Sequence, residues 1–349
     1  MKAVQLVAWQ STPQLVEVAE PTAGPGQVVI RIAGAGVCHS DLHIMSDFTD
    51  GMFAFSPPFT LGHENAGWVH ELGAGVEGLS LGDAVAVYGS WGCGACPACA
   101  AGQDTYCRKP QDAYGAALGG GIGVDGGQAE FMLVPSARHL VPIPDGLDPV
   151  AVAPITDAGL TPYHAIKQSL PKLLPGSTAL CIGVGGLGHM AVQILKAMTP
   201  ANVIAMDTKA EALALASRFG ADLAVRADAD DAVAQVRDAT DGRGADVVID
   251  FVGSDSTMSN AFACAMVQGD LTIVGGAGGT FPIGLYTAPY ELRVQSTYWG
   301  KRSELSEVLA LAAAGKLTPE FATFPLERAL DAYAALEAGT VQGRAVIVP

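Results

Sequence analysis

Two textures of hydrophobic and polar positions divide the chain. Up to about residue 150 the apolar positions come in short runs, VVIRIAGAGV (28–37) and AVAVYG (84–89), broken by PTAGPG (21–26) and LGAGVEGLSLGD (72–83). Short strands parted by Gly- and Pro-rich turns are the pattern of a β-rich domain. Near residue 155 the period changes. STALCIGV (177–184) is a buried strand, GLGHMAVQILKAM (186–198) has helical spacing, NVIAMD (202–207) is a strand and KAEALALASRFG (209–220) a helix ending on Gly220. ADVVIDFVG (245–253) and DLTIVGG (270–276) continue as strands with a helical stretch between them. This βαβ alternation implies a parallel sheet covered on both faces. Two helical stretches, 303–315 and 326–339, precede a last strand, GRAVIVP (343–349).

Composition narrows the classes. The 349 residues are 50% hydrophobic and 15% charged, enough for two folded domains. The formal net charge of −16 disfavours nucleic acid, which needs a basic footprint. There is no apolar run of membrane-spanning length and no signal-like start, so a cytoplasmic location is expected.

Three motifs carry chemistry. Gly183, Gly185 and Gly188 form G-x-G-x-x-G between a strand and a helix, with Gly186 and Leu187 inside it. Such glycines let a pyrophosphate approach the backbone at a helix N-terminus. Asp207, 19 residues beyond Gly188 at the end of the next strand, suits the adenosine ribose hydroxyls and repels a 2′-phosphate; Thr208 follows and no Arg adjoins it, which favours NAD over NADP. Val252 and Gly275, on later strand ends, complete the cofactor positions. Cys93, Cys96, Cys99 and Cys107, spaced C-x2-C-x2-C-x7-C, can close a tetrahedral shell around one structural zinc; paired disulfides or incidental thiols are the bland alternatives, and a nucleic-acid zinc module is the rival that the acidic balance disfavours. Finally, CHSDLH (38–43) precedes GHENAG (62–67).

In this order, and over the whole chain, the motifs resemble the zinc-containing alcohol dehydrogenases of the medium-chain dehydrogenase/reductase family. The resemblance implies an α/β fold: a GroES-like β-rich catalytic domain, 1–153 and 295–349, and a Rossmann domain with a doubly wound parallel sheet, 154–294. Cys38, His63 and Asp157 (in PITDAGLTPYHA) are implied as ligands of a second, catalytic zinc, with Glu64 beside it. Ser40 and His43 match the family's proton relay. His39 and Arg344 match positions that meet the cofactor phosphates. A site in the cleft between domains, homotetramers or homodimers, and a small-molecule alcohol, ketone or aldehyde as substrate are implied likewise. Segment 280–292 is where relatives pair subunits. Phe55, Tyr298 and Trp299 match aromatic walls of relatives that act on secondary alcohols. Cys181 and Cys264 read as buried thiols, and His189 as a cap near solvent or pyrophosphate. Zinc-free quinone reductases, polyol or formaldehyde dehydrogenases, and a non-catalytic NAD-binding redox sensor remain as alternatives.

Overall fold

The computed structural model describes residues 1–52, 55–109 and 118–349. It forms two compact units: 1–160 with 299–313 and 321–349, and 161–298 with 314–320. The expected boundaries at 153/154 and 294/295 differ from this division by a few residues. Segment 154–160, with Asp157, belongs to the first unit, and 314–320 returns to the second.

The first unit is built on the strand Val28–Val37, whose side chains are buried at every position but Arg31. That strand pairs antiparallel with Glu64–Leu72 on one edge and with Arg344–Val348 and Phe131–Val134 elsewhere along its length. The sheet continues through Ala84–Val87 to Leu140–Pro142, and Phe321–Pro325 closes its other side. Val28, Ile30, Val69, Val85 and Met132 form its core. Near-continuous burial explains why the run VVIRIAGAGV lacks strict alternation: both faces are covered. A second sheet of three short strands holds Lys2–Leu6 between Gln14–Glu17 and Phe59–Thr60.

The second unit is a six-stranded parallel sheet. Its order is Leu223–Arg226, Asn202–Asp207, Thr178–Ile182, Ala245–Asp250, Ala265–Ile273, Arg293–Ser296. The chain winds outward in both directions from Thr178–Ile182, so the switch point of the sheet lies at that strand's carboxyl end, where open α/β sheets bind ligands. The helices Gly188–Met198, Ala210–Arg218 and Asp255–Cys264 connect these strands. Ser254 caps the last of them, accepting from the Thr257 N–H while the Thr257 hydroxyl accepts from the Ser254 N–H. Leu180, Ile182, Ile204, Met206, Val248 and Leu271 fill the core. Among the described residues no helix is long and apolar enough to cross a membrane.

Candidate metal and nucleotide sites

Four potential metal donors meet in the first unit. Cys38, His63, Glu64 and Asp157 each offer an atom within 4.8 Å of the others. Sequence distance conceals this closeness. Cys38 follows the central strand, His63 precedes its antiparallel neighbour, and Asp157 follows the 3-10 turn Ala153–Thr156. Gly36 pairs with Glu64 across the two strands, and a side chain at 36 would overlap the Glu64 carboxylate, so the glycine admits the acid into the sheet.

The orientation of His63 is fixed from behind. Its Nδ1 lies 3.0 Å from Oδ1 of Asp41, off the line of an ideal hydrogen bond, and both residues are buried. Asp41 also accepts the Cys38 N–H through Oδ2 at 2.9 Å, so one carboxylate organises two of the donors. Nε2 faces the other way, 3.8 Å from Oδ2 of Asp157 and 3.2 Å from the Ser40 hydroxyl. Two ligand atoms on a tetrahedral zinc are about 3.4 Å apart, so the His63–Asp157 spacing fits one ion. An imidazole that offers one nitrogen inward and turns the other to a carboxylate is the usual arrangement of a metal-bound histidine. Burial opposes a charge on this ring, but Asp41, Asp157 and Cys38 outweigh it and raise the pKa of the imidazole.

Glu64 is fully buried and opposite Arg344, itself 2% exposed. Nε of Arg344 donates to both carboxylate oxygens at 3.1 and 3.0 Å, and Nη2 makes a further close contact with Oε1. Burial pushes the Glu64 carboxyl up to about 7, although Arg344 opposes it. The second carboxylate near Arg344 is Asp157, 3.7 Å from Nη2. Arg344 thus stands in the donor group, with its Nε–Nη2 edge engaged.

The structure sorts the other expected residues. Ser40 joins the group. His43, three residues on along the helix His39–Ser46, is half exposed and paired with Asp47 at 2.7 Å. His39 is exposed at the start of that helix. Trp299 is buried, its ring edge-on to His63 with centroids 5.7 Å apart, and its Nε1 donates to the Thr156 carbonyl at 3.2 Å. Phe55 packs with Trp9 and Phe59, at centroid separations of 5.9 and 5.7 Å. Tyr298 is half-buried in the second unit. Asp41 was not among the expected site residues. The signal was its place three residues after Cys38, where an acid in a first helical turn can bond back to the capping residue.

The four-cysteine loop closes on itself. Cys93, Cys96, Cys99 and Cys107 bring their sulfurs within 4.8 Å of one another. Sγ of Cys96 and Sγ of Cys99 are 3.5 Å apart, near the about 3.8 Å of two thiolates on one tetrahedral zinc. Backbone N–H groups of Cys93 and Lys109 point at Cys107, and that of Arg108 at Cys96, at 3.3 to 3.4 Å. Such donors favour thiolates. Together with the Cys99 N–H, that of Arg108 draws the Cys96 thiol down to about 6, whereas burial pushes Cys99 up to about 12. All seven cysteines are unpaired. Cys181 and Cys264 are buried, with burial pushing their thiols up to about 12 and about 11.

In the second unit the glycine motif is the turn after Thr178–Ile182. Gly183 has φ +86°, a left-handed conformation that favours glycine, and a Cβ there would press on Val252. Val252 in turn abuts Gly275, so three expected cofactor positions share one wall. Gly185 is exposed with open space around it, and Gly186 and Leu187 are half-buried. The Asp207 carboxylate accepts the Val184 N–H at 2.7 Å and the Lys209 N–H at 2.8 Å, which pins it at the mouth of the turn. His189, expected near solvent or pyrophosphate, lies away from solvent. It is fully buried, accepting the Glu320 N–H at Nε2, so its Nδ1 donates to the Gly185 carbonyl at 2.9 Å.

One unit carries a dinucleotide turn on a parallel sheet and the other a set of Cys, His and Asp donors, the two features of a metal-dependent dehydrogenase. Comparison with known proteins agrees. Residues 24–145 match the alcohol dehydrogenase GroES-like domain and residues 186–314 the zinc-binding dehydrogenase domain. An NAD-dependent alcohol dehydrogenase of Sulfurisphaera tokodaii is 37% identical over 360 residues, covering 100% of both chains. A solved alcohol dehydrogenase from Aeropyrum pernix is 40% identical, with TM-score 0.91 and full coverage of both chains. An acetophenone reductase from Geotrichum candidum, solved in complex with NAD, is 32% identical, with TM-score 0.84, covering 100% of this chain and 97% of its own. The chain belongs to the zinc-binding alcohol dehydrogenase family.

Proposed function

We propose that the chain is a zinc-dependent, NAD-linked dehydrogenase that interconverts a medium-sized, hydrophobic secondary alcohol and its ketone. The observation that carries the reading is the set Cys38, His63 and Asp157, the first two buried, with Asp41 behind the imidazole and the Trp299 indole at its edge. A zinc ion held by these three donors would supply Lewis acidity to the alcohol oxygen, and NAD would supply the hydride acceptor.

The chain's own residues do the rest. Asp41 keeps Nε2 of His63 directed inward and holds the Cys38 backbone. Glu64 and Arg344 form a buried pair beside the donors, with the guanidinium set against the carboxyl. Ser40, with its hydroxyl 3.2 Å from Nε2 of His63, receives the alcohol proton. His43, one helical turn away and half exposed, passes it to solvent. The turn Gly183–Gly188, with Val252 and Gly275, receives the pyrophosphate, and Asp207 the ribose hydroxyls. Arg344 and His39 remain candidate phosphate contacts, Arg344 through its Nη1 edge. The second zinc belongs to Cys93, Cys96, Cys99 and Cys107, where four thiolates leave no open position.

Trp299 supports a hydrophobic substrate: an indole wall removes apolar area from water and leaves polyol hydroxyls without partners, at about 1–3 kcal/mol each. The acetophenone reductase relative points the same way. Ile283, Leu285 and Tyr286, exposed in segment 280–292, support a homodimer or homotetramer. The test is NADH formation from a panel of alcohols, with NAD and NADP compared. A secondary aryl or alkyl carbinol should lead. Turnover confined to sugar alcohols, or to NADP, contradicts the reading.

A further inference from the structure

Next to Asp207, on the adjoining strand, stands a cation with no part in the functions described above. Asn202–Asp207 and Leu223–Arg226 run parallel, with Asp207 opposite Arg226. In-register neighbours leave a sheet on the same face, with their Cα atoms about 4.8 Å apart. Asp207 cannot turn aside, because Val184 and Lys209 hold both its oxygens. Arg226 is held too. Its Nε donates to Oδ1 of Asp228 at 2.9 Å and its Nη2 to Oδ2 at 2.7 Å. Asp228 thus takes the Nε–Nη2 edge of the guanidinium, one of the edges with which a planar fork can hold a phosphate bidentately.

We propose that Arg226 is a latent phosphate-binding group at the ribose edge of the nucleotide site, and that Asp207 and Asp228 together keep it from accepting the 2′-phosphate of NADP. The proposal rests on the reading of Gly183–Gly188 and Asp207 as the NAD site. Two effects divide the work. Asp207 would confront the phosphate with a fixed carboxylate. Asp228 occupies the Nε–Nη2 edge of a guanidinium that could offset that repulsion. The Arg226–Asp228 pair is about half exposed on both sides, 48% and 53%, so its hold is modest and a phosphate can displace it once the nearer repulsion is gone. The order of the effects follows: Asp207 dominates, and Asp228 shows its influence when Asp207 is absent. Sequence inspection around Asp207 misses this cation, because it lies 19 residues away and reaches the site only through strand pairing.

The test is equilibrium binding of NADH and NADPH to the whole protein, followed by nicotinamide fluorescence, with steady-state kinetics alongside. Asp207→Ser should tighten NADPH by about tenfold or more. Asp228→Asn added to it should tighten NADPH by a further roughly threefold to tenfold and leave NADH within about twofold. Arg226→Gln in that double variant should reverse the gain by about tenfold, for NADPH alone, and added salt should weaken NADPH more than NADH. Lys209→Gln in the double variant is the rival arm, since Lys209 is the other base beside Asp207. If Lys209→Gln removes the gain and Arg226→Gln does not, or if Arg226→Gln weakens both nucleotides equally, the proposal is overturned. If the unaltered protein binds neither NADH nor NADPH, the cofactor reading fails and this proposal with it.

Discussion

Asp41 stands 3.0 Å from Nδ1 of His63 while its other oxygen takes the Cys38 N–H, so two prospective ligands 25 residues apart share one buried anchor. Asp41→Asn keeps the shape and a hydrogen-bonding oxygen but removes the charge behind the ring. Such outer partners of metal ligands typically contribute tenfold to 100-fold in metal affinity or activity. We expect Asp41→Asn to lose zinc from the Cys38 group by about that factor, with little change at the four-cysteine loop. Zinc released to a graded chelator, measured beside the thermal midpoint, checks this. A uniform loss of stability with unchanged zinc affinity would make Asp41 a packing residue only.

Gly89 and Trp299 are sterically coupled. Trp299 is the buried residue with φ +51°, and its indole occupies the space where a Cβ at position 89 would sit, 1.8 Å from a ring carbon. Gly89→Ala must displace the indole, and Trp299→Ala removes it. Both should shift preference among ketones toward bulkier arms, Trp299→Ala more strongly, with zinc content unchanged. Competition between a small ketone, an aryl methyl ketone and a sugar alcohol reads this out. An unaltered ranking in both variants would show that the indole only packs the core.

His139 is a buried imidazole stacked on Trp91, with centroids 5.7 Å apart. Burial, then Arg138 and Arg302, lower its pKa to about 3. The unfolded chain therefore binds a proton below about pH 6.5 that the native state refuses until about pH 3. The resulting stability is complete above the unfolded pKa and is lost as the pH falls through this window, about 2 kcal/mol of it by pH 5. His139→Leu should flatten that part of the acid-side slope, so its deficit relative to the parent shrinks as the pH is lowered from 7 to 5. Denaturant midpoints at three pH values decide it, and parallel slopes would contradict it.

Much of the arrangement was legible in the sequence because its chemistry is local. The Gly183–Gly188 turn, the four-cysteine loop and the strand–helix alternation each need only neighbouring residues, and each forms as read. Asp157 had to be placed by resemblance, since no local pattern ties it to Cys38 or His63. What stayed hidden depends on pairing between distant strands. Glu64 meets Arg344 because both flank Val28–Val37, and Gly36 makes the space. His189, read as a cap near solvent or pyrophosphate, is drawn inward by the N–H of Glu320 from a segment 131 residues away. Phe55 was expected beside the substrate; its ring contacts include Trp9 and Phe59, on strands and loops that aromatic spacing alone does not connect.

Zinc stoichiometry, determined together with alcohol-dependent NADH formation in the parent, Cys38→Ser and Cys96→Ser, bears on the central assignment most directly. The parent should carry two zinc ions per chain. Cys38→Ser should keep one, remain folded and lose nearly all turnover, because it removes a ligand from the open site alone. Cys96→Ser should lose the other and fall in thermal stability, since a closed structural site contributes folding free energy. A parent with no zinc, or a Cys38→Ser variant that retains both ions and full turnover, would contradict the account.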